Sequence, residues 1–100
     1  MAHNHTSDVL ADQFIHHLRI EKGLAKNTIE SYSRDLTRYL DFLEKDNIHP
    51  LKASQIDIME YVSSLAGALS IRSIARNLSS LKVFYRFLVS DGKIQTNPAR

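Results

Sequence analysis

Cysteine is absent from the 100 residues, which excludes a disulfide framework and any thiolate zinc site. No apolar run approaches the roughly 18 residues of a membrane-spanning helix. The N-terminal MAHNHTSDVL lacks the apolar core of a secretory signal. There is no Gly-rich phosphate loop, no H-E-x-x-H, no pair of metal carboxylates, and no Ser-His-Asp or Cys-His arrangement. Tyr32, Tyr39, Tyr61 and Tyr85 have no neighbouring cluster of Arg and His to make one of them a nucleophile. His3 and His5 have no third ligand nearby and make a poor metal site. Together these absences imply no cofactor and no metal, and they fit a cytoplasmic protein. No internal repeat or low-complexity segment is present. A chain of this length is one domain, able to bury a modest core but not to add a deep catalytic cleft.

What is present is an uneven distribution of charge. Residues 1–68 hold seven Lys/Arg and ten Asp/Glu, a net −3. Residues 69–100 hold six Lys/Arg and only Asp91, a net +5. That asymmetry points to an anionic partner for the C-terminal third. Nucleic acid is the commonest such partner and an acidic protein surface the alternative.

The basic third is dominated by one periodic stretch, Leu69 to Ser90. Ile71, Ile74, Ala75, Leu78, Leu81, Tyr85 and Leu88 recur at spacings of three and four, the signature of an amphipathic helix with one buried stripe. Ser70 is placed to cap it, and Asp91-Gly92 to end it. Arg72, Ser73, Arg76, Ser79 and Ser80 fall opposite the stripe, two arginines one turn apart among short hydroxyl side chains. Such a face suits phosphate oxygens and base edges; the bland alternative is a solvated helix face.

Three further helices precede it. The first is predicted over Ser7–Glu21, capped by Ser7, with Leu10, Phe14, Ile15 and Leu18 inward and His16 and His17 at the margin; it ends near Gly23. The second runs to about Lys45, with Ile29, Tyr32, Leu36, Tyr39, Leu40 and Leu43 as its stripe. Asn27, Ser31, Arg34 and Arg38 lie opposite, Thr28 lies at the edge, and Asp35 and Asp41 dilute the charge. A helix N-terminus with exposed N–H groups also attracts phosphate. Asp46–Ala53 reads as a loop in which Asn47 and Pro50 stop the helix. Ser54 and Asp57 form a capping signal for a third helix, about Gln55 to Leu65, with Ile58, Val62 and Leu65 as its stripe, broadened by Ile56 and Met59. The expected fold is all-α, an orthogonal bundle of four helices.

Two stretches in order carry a resemblance. Gly23-Leu24-Ala25-Lys26-Asn27-Thr28-Ile29-Glu30-Ser31-Tyr32-Ser33-Arg34-Asp35-Leu36 is similar to the gls-x-x-T-x-x-x-Y-x-x-D-L run of the N-terminal core-binding (SAM-like) domain of tyrosine recombinases, the phage integrases. Leu69 to Leu88 followed by Asn97-Pro98 resembles the same family's s-x-x-T-i-x-R-x-L-s-a-l-r-x-F-y-x-f-l … NP stretch, especially in its Xer-like, chromosome-dimer-resolving branch. The resemblance covers about residues 8–100. It departs at Ala25, where a capping serine is frequent, and at Ser73, where threonine is usual.

The resemblance implies a domain that covers one face of duplex DNA, with its second and fourth helices at the major groove beside the cleavage site. Strand cleavage would belong to a separate C-terminal domain with its own nucleophilic tyrosine, so this chain alone would not be an enzyme. The implied DNA contacts are Lys26, Asn27, Thr28, Ser31 and Arg34 on the second helix, and Arg72, Ser73, Arg76, Asn77 and Ser80 on the fourth. Other recombinase protomers, in a tetramer on DNA, are the implied protein partners, with Phe14 and His17 on the first helix as candidate contacts. No membrane is involved. The expected organisation is a disordered leader (1–6), a helical DNA-binding domain (7–94) and the start of a linker to an absent catalytic domain (95–100). The alternative is a helical protein–protein module of the death-domain or SAM type with an acidic partner. A helix-turn-helix regulator fits less well, given the long fourth helix and the eight-residue loop.

Overall fold

The computed structural model describes residues 5–100. It is all-α, with four α-helices: α1 (His5–His16), α2 (Lys26–Lys45), α3 (Gln55–Ser64) and α4 (Ile71–Ser90). No β-strand occurs among the described residues. The chain divides into two compact units, the first ending at His49 and the second beginning at Pro50.

In the first unit α1 starts two residues ahead of the expected cap. Ser7 therefore lies inside the helix and is buried. Of the expected leader, His5 and Thr6 open α1 and the rest lies outside the described residues. The α-helix does not run to Glu21 either. It gives way to a π-helical turn, His17–Glu21, in which the Lys22 N–H donates to the His17 carbonyl at 3.2 Å. The widened turn keeps Leu18 buried while Arg19 and Ile20 face outward. Gly23, at φ +60°, then reverses the chain in a conformation that glycine adopts without a Cβ clash. Phe14 is fully buried and meets Tyr32 edge-on, with ring centroids 6.2 Å apart.

The stripe of α2 buries Leu36, Tyr39, Leu40 and Leu43, with Ile29 and Tyr32 half-buried. Asp35 is buried as well, 1% exposed, and is engaged in polar or electrostatic interaction there. The helix closes on Asn47 at φ 55°, with the Asn47 N–H bonded to the Glu44 carbonyl and the Ile48 N–H to that of Leu43. This is the paired Schellman pattern, with asparagine in the usual glycine position.

In the second unit the segment expected as a plain loop contains a 3₁₀ turn, Pro50–Lys52. The buried Tyr85 hydroxyl donates to the Pro50 carbonyl at 2.9 Å. The predicted capping box of α3 is complete: the Asp57 N–H donates to Ser54 Oγ at 3.2 Å and the Ser54 N–H to Asp57 Oδ2 at 2.8 Å. The helix buries Ile58 and Tyr61, and Leu65 just beyond it. Ile56 and Met59, expected to broaden the stripe, are exposed at 67% and 61%. Ser70 caps α4 by accepting from the Ser73 N–H at 3.2 Å. At the other end Gly92 (φ +75°) sits between paired bonds, its own N–H to Val89 and the Lys93 N–H to Leu88.

The buried side of α4 is rotated from its expected position. It comprises Asn77, Ser80, Leu81, Phe84, Tyr85 and Leu88. Ile71 and Ala75 are exposed and Ile74 and Leu78 only half-buried. The densely packed C-terminal half, anchored by Phe84 and Tyr85 at 5.2 Å, sets the helix rotation. Extending its line back by one turn of 3.6 residues from Leu81 lands on Asn77 rather than Leu78. The last residues fold back onto this unit: Asn97 Nδ2 donates to the Lys82 carbonyl at 3.2 Å, Asn97 Oδ1 accepts from the Ala99 N–H at 2.8 Å, and Ala99 is 6% exposed.

Candidate nucleic-acid interface

Each unit presents one long helix whose outer face is cationic. On α4 the exposed charged residues are Arg72, Arg76, Lys82 and Arg86, and the helix contains no acid. The four recur along one side of a helix about 30 Å long. Ala75 and Ser79, small and exposed, lie among them. On α2 the exposed charged residues are Lys26, Glu30, Arg34, Arg38 and Lys45. The sequence suggested that Asp35 and Asp41 weaken this face. Instead Asp35 is buried and Asp41 half-buried, so the exposed side is more cationic than its composition implies.

The two helix starts are also alike. Neither α2 nor α4 has an acidic residue in its first turn, whereas α1 has Asp8 and α3 has Asp57. Negative charge is the usual complement of the positive end of the helix dipole, worth about 0.3–1 kcal/mol. Here Lys26 and Arg72 occupy those turns instead. The N-cap position of α2 is Ala25, which makes no side-chain cap hydrogen bond. Both helix starts thus combine backbone N–H groups with a cation, an arrangement that stabilises a bound anion.

Eight of the ten predicted site residues are on these faces. Lys26, Asn27, Thr28 and Arg34 are exposed on α2; Ser31 is half-buried there, its Oγ accepting from Arg34 Nη2 at 3.4 Å. Arg72 and Arg76 are exposed on α4, with Ser73 half-buried beside the cap. The other two require correction. Asn77 is fully buried, its Oδ1 accepting from the Tyr61 hydroxyl at 2.6 Å. Ser80 is 4% exposed and donates back to the Arg76 carbonyl at 3.1 Å. Both hold the interior of the second unit and offer no outer surface. Phe14 is likewise too buried to meet another protomer, and His17 is paired with Glu21 at 3.3 Å. Lys82 and Arg86 were not singled out from the sequence, although continuing the Arg72–Arg76 line through Ser79 by helical steps leads to them.

Among the described residues no three His, Cys, Asp or Glu side chains are grouped to hold a metal ion, and no helix is long and apolar enough to cross a membrane. The open cavities of the second unit, about 770 and 360 Å³, lie against its C-terminal segment, away from the outer faces of Arg72 and Arg76.

The chain matches the phage integrase N-terminal SAM-like domain over residues 11–92. It is 40% identical over 91 residues to the tyrosine recombinase XerC of Leptospira interrogans, covering 89% of this chain and 29% of that protein. It is 38% identical to the tyrosine recombinase XerD of Rickettsia bellii, covering 86% of this chain and 28% of the relative. With XerD of Bifidobacterium longum the identity is 40%, over 78% of this chain and 26% of the relative. The chain therefore spans less than a third of the length of these relatives. No solved structure gives a significant match. The match over residues 11–92 carries the two helices with cationic faces, and by it this chain belongs to the phage integrase N-terminal SAM-like domain family, in the form found in Xer-type tyrosine recombinases.

Proposed function

We propose that this chain is the DNA-gripping domain of a site-specific tyrosine recombinase. It holds duplex DNA beside the cleavage site while a separate catalytic domain cuts and rejoins the strands. The observation that carries this reading is α4: four exposed cations, no acid, and arginines one turn apart next to a helix start without acidic charge. Arg72 and Arg76 have the reach and the forked donors for guanine edges and phosphates. Lys82 and Arg86 continue the face and suit the phosphate backbone. On α2, Lys26 and Thr28 suit backbone phosphates, with Asn27, Ser31 and Arg34 beside them; Ser73 contributes a hydroxyl near Arg72. Asn77 and Ser80 are left out of the proposed contacts because they are interior.

By its Xer-type relatives, the full protein would work with further protomers on DNA, in the cytoplasm, in chromosome-dimer resolution at cell division. The test is a titration of the chain against random-sequence duplex DNA at several salt concentrations. Affinity should be measurable at low salt and fall steeply as salt rises, because each neutralised phosphate releases counterions. Arg72→Ala with Arg76→Ala should weaken binding and flatten the log–log salt slope by up to about two, near 0.9 per neutralised phosphate. No binding at low salt, or unchanged affinity of the double variant, would overturn the reading.

A further inference from the structure

The α4 face holds one residue that phosphate binding does not explain. Ile71 is 87% exposed, the most exposed large hydrophobic residue among the described residues, and it opens the helix immediately before Arg72. One turn later Ala75 is exposed on the same edge, and beyond it Ser79. The outer face of α4 therefore has an apolar edge, Ile71 and Ala75, running beside a cationic edge, Arg72 and Arg76. Ile71 adds nothing to attraction for phosphate, and in the free chain its side chain is left in water.

Base edges in the major groove offer an apolar partner. The C5 methyl group of thymine is the apolar group that the four base pairs present there, and it distinguishes T from C and from uracil. The groove, about 12 Å wide, admits one α-helix. The small side chains at Ala75 and Ser79 let the backbone of α4 come close. A helix that enters with Arg72 and Arg76 on phosphate or guanine thus brings Ile71, on the adjoining edge, against neighbouring bases. The cations on the same face identify the occupant as the DNA itself rather than an apolar protein surface.

We propose that Ile71, supported by Ala75, is a specificity-determining residue that recognises thymine methyl groups in the major groove. The proposal rests on the DNA-gripping reading above and adds to it a base preference.

The experiment removes the methyl groups alone. Duplexes enriched from a random pool by binding to the chain are copied twice, once with thymine and once with uracil in its place, and each is titrated with wild type and Ile71→Ala. Ile71 is exposed and alanine is the better helix former, so circular dichroism should show the variant folded. Wild type should bind the uracil copy about four-fold more weakly for each contacted thymine, the equivalent of one lost methyl burial. Ile71→Ala should bind the two copies equally and match wild type on uracil to within about two-fold. The proposal is overturned if wild type binds both copies equally or if the thymine preference survives in Ile71→Ala. It is also overturned if Ile71→Ala instead abolishes a concentration-dependent self-association with the thymine preference unchanged, which would mark Ile71 as a contact between copies. Failure of the underlying reading looks different: wild type then binds neither copy at low salt, and this proposal falls with it.

Discussion

The hydroxyl of Tyr61 and the amide oxygen of Asn77 meet at 2.6 Å in the interior of the second unit, between residues 16 positions apart. A neutral buried hydrogen bond of this kind contributes about 0.5–1.5 kcal/mol net. Tyr61→Phe should therefore lower stability by about 1 kcal/mol, read as a lower urea midpoint at unchanged slope. Duplex affinity should stay at the wild-type value, because neither residue lies on the outer face. An equal loss of affinity in the folded variant would return Asn77 to the interface. Ser80 read as an outward residue from the sequence because a hydroxyl scores as polar, and Asn77 was implied as a contact by the family resemblance alone. The partners that make their burial tolerable, a tyrosine on another helix and the Arg76 carbonyl, do not register in a helical-wheel pattern. Arg72, Arg76, Lys26 and Arg34 were legible for the opposite reason: no short-range pattern buries a guanidinium or an ammonium cheaply.

At the scale of the helix, termini were more legible than rotation. Ser70, the Ser54–Asp57 box, Asn47 and Gly92 do what their residue types suggest, because a cap is settled within four or five residues. The start of α1 and its π turn were not foreseen, since no residue type marks them. The rotation of α4 has a measurable consequence. Leu81 is fully buried and Leu78 only half-buried. Leu81→Ala should cost about 2–5 kcal/mol by leaving a cavity, whereas Leu78→Ala should cost distinctly less. Denaturant unfolding of the two variants checks the order; a larger loss at Leu78 would restore the stripe predicted from periodicity. The apolar residues of α4 cover more than half of its circumference, so several rotations satisfied the pattern. Packing of Phe84 and Tyr85 chose among them.

Over the whole molecule, charge separates with the division into units. Residues up to His49 hold six Lys/Arg and eight Asp/Glu, a net −2, and those from Pro50 hold seven and three, a net +4. Attraction to DNA should therefore be carried mainly by the second unit. Lys26→Ala with Arg34→Ala should weaken duplex binding less than the Arg72, Arg76 pair, though each pair should flatten the salt slope, by about 0.9 for every phosphate left without its cation. Parallel titrations of the two double variants decide this, and a larger loss from the α2 pair would assign the main grip to the first unit. The sequence by itself determined the four helices, most of their ends, the basic third of the chain and the family, because propensity, capping, net charge and motif spacing are properties of neighbouring residues. Only the tertiary structure decided the rotation of α4 and left Ile56 and Met59 of α3 outside the core. It hid Asp35, Asn77 and Ser80 and left Ile71 in water, because burial depends on packing between segments distant in the chain, and one helix's own pattern does not fix that packing.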